Sequence, residues 1–202
     1  MNDYLYHGVK WKNYDLLVKI LESGYILPRC MLEEGLVTDR NNIFNGTKYI
    51  SLCKKTLIDF DLIDAFSSSY DSFIVNSPCL VLKNNNLNLI HPRIITAAER
   101  ESIGREEWQA LLYRDDDERL TYFVDELQSK DPISLKDNLV AVGLPLDDLE
   151  FGMDIGEREK ILTDISTVLK KKGYDVPLLD SCMYSFADNE ESMNRSKIKS
   201  RF

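Results

Sequence analysis

The chain has 202 residues, 44% of them hydrophobic and 29% charged, which suits one domain with a sizeable core and ordinary soluble composition. Its formal net charge of −9 disfavours tight, salt-sensitive binding to a nucleic-acid backbone, and no apolar run reaches membrane-spanning length. The four cysteines, Cys30, Cys53, Cys79 and Cys182, form no CxxC pair and have no histidine spaced for zinc, so they read as reduced, mostly buried side chains of a metal-free, cytoplasmic protein.

Taken in order, the chain begins Met1-Asn2-Asp3, which is not a basic region followed by an apolar run, so no signal peptide is expected. Tyr4, Leu5 and Tyr6 favour a half-buried strand that ends on His7, one of only two histidines, followed at once by Gly8. Such a pair either aims an imidazole and backbone groups into a cleft, or is a strand end satisfied by local hydrogen bonds. Residues 13–22 then read as a helix: Leu16, Leu17, Ile20 and Leu21 share a face, Asn13 caps the start and Gly24 follows the end. Residues 29–45 are irregular, and Asn45-Gly46 signals a turn.

Residues 48–53 form the next expected strand, with Tyr49, Ser51 and Cys53 on one side and Ile50 and Leu52 on the other. A helix is expected over 56–70, carrying Phe60 and Phe66, and strands over 72–75 and 79–82, with Pro78 marking a break or bulge. Asn84-Asn85-Asn86 is a turn, and His91 has no evident ligand partner. Residues 96–118 are charge-rich and partly helical; Asp115 to Glu118 fit a solvated acidic loop better than a metal site.

Strands are expected over 120–128 and 138–144, linked through Pro132, Ile133, Ser134 and Leu135. Alternation sets Val124, Glu126 and Gln128 on one side of the first, with Asp125 and Leu127 on the other. A glutamate on a central strand needs a partner or a purpose; on a strand edge it simply faces solvent. Residues 154–172 make the clearest helix, with a capping-box-like Asp154 and Glu157, an apolar stripe of Ile161, Leu162, Ile165, Val168 and Leu169, and Gly173 beyond the last lysines. Residues 176–180 read as an edge strand because of Pro177. Without repeats or a linker, residues 1–185 read as a single α+β domain and 186–202 as a polar, flexible tail.

The succession Tyr6-His7-Gly8, a helix ending in Glu22-Ser23-Gly24-Tyr25-Ile26, Lys48-Tyr49-Ile50-Ser51-Leu52 and Asp125-Glu126 resembles the mono-ADP-ribosyltransferase superfamily, in its branch with a His, Tyr, Glu signature. The resemblance spans roughly residues 4–144. It implies an α+β fold with a split β-sheet core and flanking helices, and NAD as substrate with no metal. Glu126 would stabilise the oxocarbenium-like transition state as nicotinamide departs, as carboxylates do in glycoside hydrolysis. His7 would hydrogen-bond ribose hydroxyls, Gly8 would offer its backbone to the carboxamide, and Tyr49 would stack on the nicotinamide ring. Phe60 would cover the ring's other side, without the hydroxyl of the family's tyrosine.

Ser51 would support Glu126, a feature of the other major branch. Glu118 and Glu99 are rival positions for the carboxylate, Glu126 being preferred because it lies in an apolar strand with another soon after. Val124 stands where arginine-modifying members carry an acid, so the acceptor implied is a protein group other than arginine, and nucleic acid is disfavoured by charge. Arg29 and Arg40 are the candidates for the diphosphate. The same fold also hosts NAD glycohydrolases, RNA 2′-phosphotransferases and inactive binding modules.

Overall fold

The computed structural model describes residues 4–9, 13–28, 31, 49–54, 77–94, 102, 120–121, 126–144 and 154–179. In chain order these residues form β1 Tyr4–Gly8, α1 Tyr14–Ser23, β2 Tyr25–Ile26, β3 Ile50–Lys54, β4 Cys79–Lys83, β5 Leu89–Ile90, β6 Arg93–Ile94 and β7 Leu120–Thr121. They continue with β8 Glu126–Ser129, β9 Ile133–Ser134, α2 Leu135–Asn138, β10 Leu139–Gly143, α3 Ile155–Lys172 and β11 Leu178–Leu179. The mixture of helices and strands is that of an α+β protein. The chain divides into two compact units, one of Met1–Ile26, Asp71–Asn85 and Ser134–Phe202, the other of Leu27–Tyr70 and Asn86–Ile133.

In the first unit the strand order is β11-β10-β4-β1. β4 is antiparallel to β1, with Tyr4 opposite Lys83 and Gly8 opposite Cys79, and antiparallel to β10, with an irregularity between Leu139 and Ala141. Cys79, Leu80, Val81 and Leu82 are all fully buried, as a continuous apolar run requires when both faces of a strand are covered. Pro78 does not break this pairing: its carbonyl accepts from the Val9 amide at 2.7 Å. β11 runs parallel to β10 at the end of this order, where the missing N–H of Pro177 is tolerated and its carbonyl accepts from Val142 at 3.1 Å.

α1 and α3 pack together in this unit. Asn13 caps α1 by accepting from the Leu16 amide at 3.0 Å, and Tyr14, Leu17 and Leu21 form the buried stripe, with Leu16 and Ile20 at its margins. On α3 the buried residues are Ile161, Ile165, Val168 and Leu169, while Leu162 is only half-buried. Asp154 accepts from the Gly156 amide at 3.3 Å, one residue short of the capping-box partner that the sequence suggested. Lys160 and Asp164 pair at 3.0 Å on the exposed face; the adjacent carboxylate raises the ammonium's pKa, but in bulk water such a pair adds little stability.

Both helices end on a glycine in the left-handed region, Gly24 at φ 81° and Gly173 at φ 71°. At Gly24 a Cβ would also stand 3.3 Å from the Tyr174 hydroxyl, a phenol whose pKa is raised by partial burial and by the neighbouring Tyr25. Gly24→Ala is therefore expected to lower stability by about 1–2 kcal/mol, and Tm by about 2–8 °C for a chain of this size. Thermal unfolding followed by circular dichroism measures this, and an unchanged Tm would show that the turn tolerates a side chain.

The expected link between strands is instead structured. Ile133 and Leu135 are fully buried, and the Leu135 amide donates to the Gly24 carbonyl at 2.9 Å. These contacts convert the segment into β9 and the single turn α2, so the following strand begins at Leu139 rather than Asn138.

In the second unit the strand order is β3-β8-β5, both pairings antiparallel, and β6 pairs with β7 in parallel. The strand expected over 120–128 is described in two parts with different partners, β7 on β6 and β8 between β3 and β5. The helix expected over 56–70, the strand over 72–75, the acidic loop and the tail lie outside the described residues. Among the described residues, no helix is long and apolar enough to cross a membrane.

Candidate functional site

β8 is short and wholly buried although three of its four residues are polar, Glu126 being 5% exposed and Gln128 2%. Its register on β3 sets Cys53 opposite Glu126 and Ser51 opposite Gln128. Directly opposed residues of an antiparallel pair share a face, as do residues two apart on one strand, so all four side chains stand on the same side of the sheet. Ile90 of β5 lies opposite Gln128 on the other flank and adds an apolar neighbour to that face.

Ser51 and Gln128 both donate to Glu126. The Ser51 hydroxyl donates to its Oε1 at 2.5 Å, and the Gln128 amide nitrogen donates to the same oxygen at 3.2 Å. A carboxylate buried without donors would cost several kcal/mol, which hydrogen bonds from Ser51 and Gln128 offset. The pairing of Ser51 with Glu126 thus joins two residues 75 positions apart in the chain.

Tyr49 immediately precedes β3 and Lys130 immediately follows β8, so the same face continues beyond both strands. The Lys130 ammonium stands 5.9 Å from the centroid of the Tyr49 ring, within the range of a cation–π contact. The face therefore carries, in succession, an aromatic ring with a cation over it and a buried, doubly hydrogen-bonded carboxylate.

His7 and Gly8 belong to the first unit, on β1. His7 is half-buried opposite Leu80, and Gly8 lies opposite Cys79. Because the next pair, Val9 and Pro78, is hydrogen-bonded, the Gly8 pair is of the non-bonded kind, and its N–H and C=O point to the edge of β1 away from β4. Phe60, Val124, Glu99, Glu118, Arg29 and Arg40 lie outside the described residues. Among the described residues, no group of three or more His, Cys, Asp or Glu side chains is placed to hold a metal.

Two members of the face had no assigned role in the sequence reading, Gln128 and Lys130. Alternation from Glu126 reaches both, but Lys130 is tied to Tyr49 only by the β3–β8 register, which no local pattern encodes. No family model matches the chain, and neither a curated protein nor a solved structure matches it.

Proposed function

We propose that the chain is an NAD-dependent ADP-ribosyltransferase that transfers ADP-ribose to a protein group other than arginine and releases nicotinamide. The observation that carries this reading is Glu126, buried on a strand and held by Ser51 on the face that also carries Tyr49. In the reaction the bond between ribose C1′ and the pyridinium nitrogen breaks, and the electron pair leaves with neutral nicotinamide. Positive charge develops on the ribose, where a preorganised carboxylate stabilises it; the acceptor then attacks C1′ and gives up its proton.

Tyr49 supplies an aromatic face for the nicotinamide ring, of the kind that attracts a pyridinium cation. Gly8 and His7 are the residues of β1 assigned to the carboxamide and the ribose, and Phe60 to the other side of the ring. The carboxylate role is assigned to Glu126, a buried side chain that accepts from Ser51 and Gln128. Val124, in place of a second acid, and the net charge of −9 support a protein acceptor that is neither a guanidinium nor a nucleic acid.

Incubation of the chain with NAD labelled in the adenylate, together with cell lysate, tests the proposal. The expected result is label on protein with stoichiometric release of nicotinamide. Hydroxylamine sensitivity and mass spectrometry then place the linkage on a hydroxyl, carboxylate, thiol or amide. Release of nicotinamide with free ADP-ribose as the sole product would assign an NAD glycohydrolase instead. Modification chiefly of arginine or of RNA would overturn the acceptor, and intact NAD would overturn the reaction itself.

A further inference from the structure

We infer that Gln128 is a positioning residue for Glu126, fixing the carboxylate for catalysis and favouring its ionised form. This assignment rests on Glu126 being the charge-stabilising carboxylate of the proposed reaction. Gln128 is 2% exposed, sits two residues beyond Glu126 on the same face of β8, and donates from Nε2 to Oε1 at 3.2 Å. A glutamate has three side-chain torsions, and each hydrogen bond to its carboxylate narrows them. Ser51 reaches the same oxygen from the neighbouring strand, so the two donors arrive from different backbones.

The donors are not equivalent. A serine hydroxyl both donates and accepts, so Ser51 serves Glu126 in either protonation state. The amide nitrogen of Gln128 only donates, so its contact with Oε1 suits an acceptor oxygen and is strongest when that oxygen carries charge. Burial of this amide is itself costly unless it is hydrogen-bonded, and an apolar residue of similar length would fill the place beside Ile90 as well. The Gln128 amide meets that requirement by donating to Glu126. Among the described residues, the other titratable groups on this face are Tyr49 and Cys53 from the β3 side and Lys130 beyond β8, and a change at residue 128 alters none of them chemically.

Gln128→Met keeps the length and removes the donor. Its expected effect on nicotinamide release is a fall in kcat on the order of 10-fold to 100-fold, the scale of one hydrogen bond to a charged group, with KM for NAD unchanged. Gln128→Glu offers no reliable donor and brings a second negative charge beside the first, so it is expected to fall at least as far. A loss confined to KM, or an undiminished kcat in Gln128→Met, would overturn the assignment.

A second measurement does not depend on turnover. In chain labelled with 13C at the glutamate δ-carbon, the Glu126 resonance is identified by its absence from Glu126→Gln. Its acid titration is expected to move to higher pH in Gln128→Met, because a donor to the ionised form has been lost. If the unmodified chain leaves NAD intact but the titration moves, the NAD reading fails while the positioning of Glu126 by Gln128 stands. An unmoved titration in folded Gln128→Met protein overturns the positioning itself.

Discussion

Glu126→Gln is expected to bind NAD almost as the unmodified chain does and to lose nicotinamide release by a factor on the order of 10²–10³. The substitution keeps the shape of the side chain, and its carbonyl oxygen can still accept from Ser51 and Gln128. What disappears is the negative charge that meets the positive ribose in the transition state. Because a buried charge has also been removed, the variant is expected to melt at the same temperature or a higher one, the usual signature of a residue kept for activity rather than stability. Isothermal calorimetry with NAD, nicotinamide release rates and thermal unfolding separate these effects. Undiminished turnover would take the catalytic role away from Glu126, and Glu118 would become the next residue to substitute.

Ser51→Ala follows the same logic to a smaller degree, since it removes a donor to Oε1 and leaves the charge in place. The contrast between the two variants matters. A charge that acts directly on the reacting sugar gives the larger loss, and a hydroxyl that acts through the carboxylate gives the smaller one.

How far the sequence reveals this arrangement depends on whether each feature is local. The helix at residues 154–172 is legible because its capping residue, stripe and terminal glycine all lie within its own length. The alternation of Tyr49, Ser51 and Cys53, and of Glu126 and Gln128, is equally local, and so the members of each strand face are readable. Their juxtaposition is not: it depends on a register between strands 75 positions apart, and a slip of one residue would have turned Ser51 away from Glu126.

The short elements are hidden for a different reason. β5, β6 and β9 are two residues each, too brief for a period to show, and β9 and α2 take shape because Ile133 and Leu135 are drawn into the core. In the same way Pro78 and Asp154 have local signals that fit more than one hydrogen-bonding arrangement. Only the surrounding strands and helices decide between them.

Tyr49→Ala is expected to raise the dissociation constant for NAD about tenfold or more, while Tyr49→Phe stays close to the unmodified chain. The ring and not the hydroxyl sets the affinity: the electron-rich face attracts a pyridinium cation, and phenylalanine retains that face. The structure supplies an internal comparison, since the Lys130 ammonium stands 5.9 Å from the ring centroid, drawn to the same property of the ring. The nicotinamide of NAD carries a positive charge only until the glycosidic bond breaks. Attraction to Tyr49 therefore favours the substrate over the neutral product, and its loss should appear in substrate affinity more than in the rate of the bound complex. Calorimetric titration of the two variants with NAD, beside titration with neutral nicotinamide, measures both halves of this expectation. Equal affinity of Tyr49→Ala and Tyr49→Phe for NAD would remove the ring from the binding site and leave its contact with Lys130 as a purely structural one.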